Sequence, residues 1–242
     1  MRIEFITKKE WVIHATEPSP ASLNIPDWWR DMPQQQGEGE GLRDKPSTIK
    51  RCVPFLDTLR TGYILPMQYD LLIGVNNQNG EAIVQWREGE WLIPRVEERN
   101  WNGFVNMETG KGLPGIEDVP NPHGFIMMNP WVVKTPPGYS CLFTSVLNSN
   151  SPLQFHSGIV NTDTYNDTVN FPFFIKNRYV GTLKKGTPIM QIIPFKRDEW
   201  EMEVRHEPTE EDMRNMEKVS SDITGMFHFG YRDNHGCPVK HT

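Results

Sequence analysis

Cysteines, long apolar runs and secretion signals are scarce or missing in this sequence. The 242 residues include three cysteines, Cys52, Cys141 and Cys237, which lie far apart. This usage is typical of a reduced, intracellular protein and not of a disulfide framework. No apolar run approaches the about 18 residues that a membrane-spanning helix needs, and the N-terminus has no signal-peptide core. We therefore expect neither a membrane partner nor secretion.

Motifs for common phosphate and acyl chemistry are also missing. The sequence has no P-loop and no dinucleotide-binding glycine motif. Ser140 and Ser145 lack the G-x-S-x-G setting of a hydrolase nucleophile. Acidic residues outnumber basic ones by 31 to 25, giving a net charge of −6. That balance argues against binding to a phosphate backbone, so nucleic acid is not the expected partner.

The sequence is rich in proline and in large aromatic residues. Its 20 prolines divide it into short pieces, which excludes a helical bundle. Its 12 phenylalanines and 8 tryptophans supply apolar surface to bury, which excludes a disordered chain. Short β-rich runs follow one another at regular intervals from Phe125, each ended by turn residues. The runs are 125–128, 131–134, 140–145, 158–160, 169–175, 182–183 and 189–195. The spacing predicts an antiparallel sandwich or barrel.

Helix and turn signals lie on both sides of that β-rich region. Pro26 is placed to open a short helix, and Thr48 to cap a helix that Pro54 kinks or restarts. The run 76–80, Asn-Asn-Gln-Asn-Gly, predicts a hairpin turn. Thr209 predicts a C-terminal helix with one apolar stripe. That stripe comprises Met213, Met216, Val219, Ile223 and Met226.

The fold class predicted from these signals is mainly β (α+β), with a β sandwich or barrel core and a C-terminal helix. Three consecutive parts are expected. Residues 1–124 form an N-terminal α/β extension with short helices and hairpins, packed on the core. Residues 125–200 form the β core, and residues 201–242 form the C-terminal helix and a tail.

The histidines and the cysteine of the tail are the only metal-ligand candidates in the pattern. Imidazole and thiolate groups ligate zinc, but their spacing here matches no standard site. A polar tail explains the same residues without a metal, and no metal is the expectation. These candidates are His228, His235, Cys237 and His241.

A nucleophilic cysteine would need a histidine beside it in the fold. The candidates are Cys141 or Cys52 with His123 or His156. Cys141 lies in the middle of a predicted strand, where a buried, unreactive thiol is the usual alternative.

A polar stretch, residues 161–167, lies between two strand-like runs and holds Asn161, Asp163 and Tyr165. A plain hairpin turn and a ligand-binding hairpin both explain it. The tryptophans 28, 29, 86, 91 and 101 similarly suit stacking on a sugar or base, or burial in a core or interface.

The whole chain resembles a family of proteins from tailed marine phages and some bacteria, from which no activity can be transferred. The resemblance rests on short motifs along the chain and implies a phage protein located in the host cytoplasm. The motifs are Ile25–Trp29, Cys52–Asp57, Gly62–Pro66, Asn129–Trp131 and Lys134–Ser140.

Residues 134–197 resemble a second family, the trimeric dUTPases and dCTP deaminases. The run Gly158–Tyr165 is similar to that family's hairpin G-x-I-D-x-x-Y-x-G. The run Gly186–Ile192 is similar to its strand G-x-x-I-A-Q-L, in the same order and separation. The resemblance implies a dUTPase-like core and a homotrimer. It places Asp163 and Tyr165 beside the base of a nucleotide-like ligand and Gln191 at its phosphates.

The chain differs from that family at the positions that the family uses for catalysis. Asn161 stands where the family has its water-activating carboxylate, and an amide cannot accept a proton at neutral pH. Asp163, two residues later, is the candidate substitute. The family's arginine-serine phosphate motif, its glycine-rich C-terminal arm and the deaminase glutamate are missing as well.

The leading hypothesis is a binding protein for a protein partner or a nucleotide-like ligand. Its ligand-binding candidates are Asn161, Asp163, Tyr165 and Gln191. One alternative is a nucleotide pyrophosphohydrolase or deaminase of the dUTPase-like class, which would use Mg²⁺. A further alternative is a virion or assembly component. Whether the chain is an enzyme at all stays open.

Overall fold

The fold is known from a computed structural model. It describes residues 1–7, 15–38, 45–75, 82–86, 104–107, 124–127, 129–176 and 179–221. The described strands, in chain order, are β1 (Glu4–Thr7), β2 (Ser19–Pro20), β3 (Tyr63–Pro66), β4 (Leu71–Val75), β5 (Ala82–Trp86), β6 (Phe104–Met107), β7 (Gly124–Met127), β8 (Trp131–Lys134), β9 (Tyr139–Ser145), β10 (Leu153–Phe155), β11 (Gly158–Val160), β12 (Phe171–Ile175), β13 (Gly181–Leu183) and β14 (Pro188–Lys196). The described α-helices are α1 (Asp27–Asp31), α2 (Val53–Arg60) and α3 (Glu210–Ser221).

A five-stranded sheet in the order β11-β9-β14-β3-β2 carries the longest pairing of the described chain. Strand β14 pairs with β9 over seven residues, from Met190 opposite Ser145 to Lys196 opposite Tyr139. Its other side pairs with β3. Because β-branched side chains pack well on a pleated surface, isoleucines 189, 192 and 193 favour this strand. The predicted strand at 189–195 is confirmed.

The described residues form three further sheets, and every strand pair in them is antiparallel. One sheet has the order β10-β12-β7-β6, a second has the order β13-β4-β5, and β1 pairs with β8. Strands β4 and β5 flank the predicted hairpin turn at 76–80, which itself lies outside the described residues. Together with α3, these sheets confirm a mainly β fold with a C-terminal helix.

The core between these sheets is built from phenylalanines and aliphatic side chains. Phe143 and Phe173 are at most 1% exposed, and Phe143 lies 5.5 Å from Phe171 between ring centroids. Residues on one face of β14, such as Ile192, join the same cluster. Truncating such a phenylalanine to alanine typically costs about 3–5 kcal/mol. The core therefore fixes the strands from which the site residues extend.

The chain divides into two compact units. The first comprises Met1–Asn24 and Gly62–Arg197, and the second comprises Ile25–Thr61 and Asp198–Thr242. Strands from the predicted N-terminal extension, such as β3, belong to the same sheet as β9 and β14. The division into three consecutive parts stays a prediction.

The helices of the second unit begin where the sequence predicts. Pro26 immediately precedes α1. The side chain of Thr48 accepts a hydrogen bond from the Lys50 N–H at the start of a single 3₁₀ turn, and α2 follows with Pro54 in its first turn. Proline is tolerated there because the N–H it lacks would have no intrahelical partner. Pro54 therefore begins a new helix and does not kink an existing one.

Helix α3 has the N-cap that the sequence predicts. The N–H of Asp212 donates to Thr209 Oγ1, and the N–H of Thr209 donates to Asp212 Oδ2. The N–H and the hydroxyl of Thr209 both donate to the Asp212 carboxylate and lower the pKa of that carboxyl. Met213 and Met216 of the predicted apolar stripe are exposed. Ile223 and Met226 lie outside the described residues.

No helix within the described ranges is both long and apolar enough to cross a bilayer.

Gly62 precedes β3 at a point where the backbone passes very close to β14. Its φ is +75°, and a Cβ built on it would overlap the carbonyl oxygen of Ile192. Gly138 also has a positive φ, +83°, but a Cβ there would have nothing within 4 Å. Substitution of Gly62 would therefore cause both backbone strain and steric overlap, whereas substitution of Gly138 would cause backbone strain alone.

We expect Gly62→Ala to lower the free energy of unfolding by about 2–5 kcal/mol, since it adds overlap to backbone strain. Gly138→Ala adds strain alone and should cost about 1–2 kcal/mol. Gly74→Ala is the matched control, because a Cβ there meets nothing and its φ is not positive. Urea denaturation measures all three. Equal effects of Gly62→Ala and Gly74→Ala would contradict the close approach of β3 and β14.

Candidate functional site

The candidate site is the polar stretch of residues 158–168, for which we keep the name polar hairpin. It consists of a strand and a turn, and the strands on the two sides of the turn, β11 and β12, lie in different sheets and do not pair with each other. Its first strand, β11, pairs with β9 from Gly158 opposite Phe143 to Val160 opposite Cys141. The chain then turns, and the carbonyl of Asn161 accepts hydrogen bonds from the N–H groups of Thr164 and Tyr165 at 3.0 and 2.8 Å. The turn is therefore closed by its own backbone.

Asp163 is held at the base of the hairpin by charge and by hydrogen bonds. Arg197, just after β14, donates from both terminal nitrogens to the carboxylate, with Nη1 2.9 Å from Oδ1. The backbone N–H of Gly138 donates to Oδ2 at 2.9 Å. The side chain of Asp163 is 6% exposed, and that of Arg197 is 38% exposed. A two-pronged arginine–carboxylate pair fixes direction as well as distance.

Ser140 lies beneath this pair and connects it to Asn161. It is fully buried, its hydroxyl donates to Asn161 Oδ1 at 2.8 Å, and it accepts from Arg197 Nη1 at 2.9 Å. The same guanidinium nitrogen donates to the Tyr139 carbonyl. The side-chain oxygen of Asn161 is thus used to anchor the turn to β9.

Thr162 provides a second, buried anchor. It is 1% exposed, and its hydroxyl lies 2.7 Å from that of Thr135. It also donates to the Cys141 sulfur at 3.4 Å, while the Thr135 N–H donates to the Thr162 carbonyl at 3.3 Å. Three consecutive residues of the turn, 161–163, therefore point polar groups into the fold.

Tyr165 is the large side chain that the hairpin presents to solvent. It is 45% exposed, and its hydroxyl donates to the Thr168 carbonyl at 3.4 Å. Because both ends of the residue are hydrogen-bonded, the ring is held in place without being buried.

Gln191 lies inside the sheet and not at its surface. It is 1% exposed, and its Oε1 accepts a hydrogen bond from the Leu147 N–H at 3.0 Å. This contact ties β14 to the residues that follow β9. A role for Gln191 at ligand phosphates stays a prediction that would have to accommodate this burial.

The electrostatics of Asp163 determine what chemistry the hairpin can perform. Hydrogen bonds from Arg197 and Gly138, and the charge of Arg197, lower the pKa of the Asp163 carboxyl from 3.8 to about 2, against the opposing effect of burial. A base this weak removes few protons from water near neutral pH, since efficiency is best when the pKa lies near the operating pH. Asn161 cannot serve either, because it carries an amide.

The other nucleophile candidates are placed as follows. Cys141 is fully buried, and burial raises the pKa of its thiol. Cys52 is half-buried in the second unit. His156 packs edge-on against Phe174 at 4.8 Å, and burial lowers its pKa. His123 lies outside the described residues.

The four tail residues proposed as metal ligands, 228, 235, 237 and 241, lie outside the described residues too. Within the described ranges, no three side chains of histidine, cysteine, aspartate or glutamate gather where they could hold a metal ion.

Sequence reasoning did not identify Arg197 and Gly138 as site residues. Arg197 lies 34 positions from Asp163, and no local pattern links them. The one available signal is its position directly after the strand β14, which neighbours β9 in the sheet. A residue at that position lies beside the side chains that β9 and β11 carry at the same end of the sheet.

Comparison with known proteins gives weak likenesses only. No family model matches the sequence, and no curated protein matches it. Among solved structures, the dUTPase of phage phi11 of S. aureus is 10% identical, covers 86% of this chain and 98% of its own, and has a TM-score of 0.35. The dUTPase of Staphylococcus bacteriophage 80alpha gives the same values.

The EIAV dUTPase is 12% identical, covers 62% of this chain and 87% of its own, and has a TM-score of 0.34. All three are dUTPases, the family that residues 134–197 resemble. At these scores the matches assign neither an activity nor a ligand to this chain.

The lowered pKa of Asp163 predicts a specific acid dependence of stability. Between about pH 2 and 3.8 the unfolded chain binds a proton that the folded chain does not. Stability from this pair is therefore present above pH 3.8 and is lost as pH falls toward 2. Asp163→Asn should lack this dependence, and an NMR titration of the wild-type carboxyl should have its midpoint near 2. A midpoint near 3.8 would show that Arg197 does not hold it.

The two described thiols should differ in reactivity, because the thiolate is the reactive form and Cys141 is both buried and raised in pKa. Iodoacetamide labelling followed by peptide mass mapping should modify Cys52 in the folded protein and Cys141 only after denaturant is added. Rapid labelling of native Cys141 would instead support the nucleophile hypothesis.

Proposed function

We propose that the chain is a binding protein, and that the polar hairpin is a preformed platform for a nucleotide-like ligand. The supporting observation is that the side chains of the hairpin have two different environments. Those of Asn161, Thr162 and Asp163 hydrogen-bond to the rest of the fold, while that of Tyr165 is exposed and hydrogen-bonded within the hairpin. A fixed aromatic ring at a surface is what base stacking requires.

A rigid site increases affinity, because a flexible site loses conformational entropy when the ligand binds. Side chains that become immobilised on binding cost about 0.5–1.5 kcal/mol each. The hydroxyl of Tyr165 already donates to the Thr168 carbonyl at 3.4 Å, which restricts the ring and reduces that cost. The hairpin itself is held by Arg197 at one side and Thr135 at the other.

Positive charge near the hairpin base suits an anionic ligand. Lys134 is exposed and immediately precedes Thr135, whose N–H bonds the hairpin. Lys196 is the last residue of β14, and Arg197 follows it. Arg197 is already paired with Asp163, so Lys134 is the residue we assign to a phosphate group.

The pyrophosphohydrolase or deaminase alternative is disfavoured by the state of its only candidate base. The pKa of Asp163 is near 2, and its carboxylate is already occupied by Arg197 and Gly138. We therefore propose binding without turnover. We place the protein in the host cytoplasm, because free thiols such as those of Cys52 and Cys141 are typical of a reducing compartment. A virion role stays the alternative if no small ligand binds.

Calorimetry with a panel of nucleotides, including dUTP and dCTP with Mg²⁺ present, tests the proposal. We expect at least one member to bind. Tyr165→Ala should then weaken binding about 5- to 150-fold, the equivalent of about 1–3 kcal/mol per stacked base. Tyr165→Phe keeps the ring but loses the bond to Thr168, so it should weaken binding by at most the about 0.5–1.5 kcal/mol of ordering one side chain, or about 2- to 13-fold.

Two results would overturn the proposal. Failure of every nucleotide to bind would remove the ligand. Turnover of any of them, lost in Asp163→Asn but kept in Tyr165→Phe, would make the chain an enzyme and Asp163 its catalytic base.

A further inference from the structure

The outer turn, which we define as residues 164–168, uses many of its hydrogen-bond donors within the polar hairpin. The N–H groups of Thr164 and Tyr165 and the Thr164 hydroxyl all donate to the Asn161 carbonyl. The Tyr165 hydroxyl donates to the Thr168 carbonyl. The side-chain nitrogen Nδ2 of Asn166 donates to the Thr164 carbonyl at 3.0 Å. These donors close the turn, so a ligand cannot use them without opening it.

Two side-chain acceptors of the outer turn are left for a ligand. Asp167 accepts the Thr168 N–H through Oδ1 at 2.7 Å, and within the described ranges its Oδ2 accepts no hydrogen bond. The same holds for Oδ1 of Asn166, whose Nδ2 is bonded to the turn. Both residues are exposed. The outer turn therefore presents acceptors to solvent near the Tyr165 ring.

Asp167 differs from Asp163 in the compensation of its charge. The Asp163 carboxylate is paired with Arg197, whereas none of the ion pairs among the described residues includes Asp167. An ionised carboxylate accepts hydrogen bonds and donates none, and a charged acceptor forms stronger bonds than a neutral one. Asp167 is thus the strongest acceptor that the outer turn offers to a ligand.

The Asp167 carboxylate lies toward the hydroxyl end of the Tyr165 ring. Thr168 connects the two side chains, because its carbonyl accepts from the Tyr165 hydroxyl at 3.4 Å and its N–H donates to Asp167 Oδ1 at 2.7 Å. With one residue between these two bonds, Oδ1 is at most about 10 Å from the Tyr165 hydroxyl oxygen. A base stacked on the ring with its edge toward the hydroxyl would face this carboxylate.

The four kinds of base edge differ in how well they match an acceptor of this kind. Guanine presents a ring N–H and an amino group side by side, and a carboxylate can accept from both at once. Cytosine and adenine each present an amino group beside a ring nitrogen that is itself an acceptor. Uracil and thymine present one N–H between two carbonyl oxygens, which a carboxylate repels. Guanine therefore matches the outer turn best.

We propose that Asp167 determines the base specificity of the polar hairpin and selects a guanine nucleotide. The inference rests on the proposed function, because it starts from a base stacked on Tyr165. The Asp167 carboxylate accepts from the ring N–H and from the amino group of the guanine, while Lys134 keeps its assignment to a phosphate group. Donors of the ligand then meet acceptors of the outer turn.

Calorimetry of the full chain with dGTP, dCTP, dATP, dUTP and dTTP tests the order of affinities. We expect dGTP to bind about 5- to 150-fold more tightly than dUTP or dTTP, the range for a two-pronged contact to a base. The analogue dITP lacks the amino group of guanine. It should bind about 2- to 13-fold more weakly than dGTP, as loss of one hydrogen bond does.

Asp167→Asn separates base selection from closure of the turn. An asparagine keeps an oxygen for the Thr168 N–H but replaces the second acceptor with a donor. The ratio of dGTP affinity to dUTP affinity should fall at least about fivefold. A residue that only closes the turn would leave this ratio unchanged. Asp31→Asn is the matched control, since it removes the same charge from an exposed residue of α1 and should keep the wild-type ratio.

The outcomes distinguish this inference from the proposed function. Equal affinity for all five nucleotides, with binding still weakened by Tyr165→Ala, would overturn the choice of guanine and leave the binding proposal standing. A guanine preference that Asp167→Asn does not change would overturn the role of Asp167. Failure of every nucleotide to bind would overturn the proposed function itself, and the choice of base with it.

Discussion

The ion pair between Asp163 and Arg197 is the constraint on which the candidate site depends. It connects the end of β14 to the hairpin that follows β11, and through Gly138 it reaches the turn before β9. Isolated pairs at a surface contribute little to stability. This one is nearly buried on the carboxylate side, is two-pronged, and shares its guanidinium with Tyr139 and Ser140. Its main effect is therefore to fix the geometry of the hairpin.

The same pair removes from Asp163 the property that a catalytic base needs. A carboxylate stabilised in its charged form by Arg197 is a poor proton acceptor, so positional rigidity and base catalysis compete at one residue. What the hairpin retains is a fixed shape with Tyr165 on its surface. Strand β11 leads into the hairpin and, among the described strands, lies at the edge of its sheet.

Local signals in the sequence predicted much of the fold. Thr48 and Thr209 cap helices, and β-rich runs became strands, because capping and alternation act over a few neighbouring residues. Strand β10 was not among the predicted runs, since its three residues carry too short a pattern. A turn lies at 161–165 as the sequence predicts, but it connects β11 to β12 in another sheet and does not close a hairpin. Asp163 and Gln191 turn inward because of Arg197 and Leu147, which are 34 and 44 residues away. The spacing of residues along the sequence does not predict hydrogen bonds between partners that lie so far apart.

The polar hairpin is proposed to bind a ligand and not to catalyse a reaction. Chemical-shift mapping of the ¹⁵N-labelled chain during nucleotide addition tests this, because one experiment reports both the location of binding and the fate of the ligand. We expect shifts concentrated at residues 164–168 and at Lys134, with the nucleotide spectrum unchanged over time. Shifts absent from the hairpin, or the appearance of product signals, would contradict it.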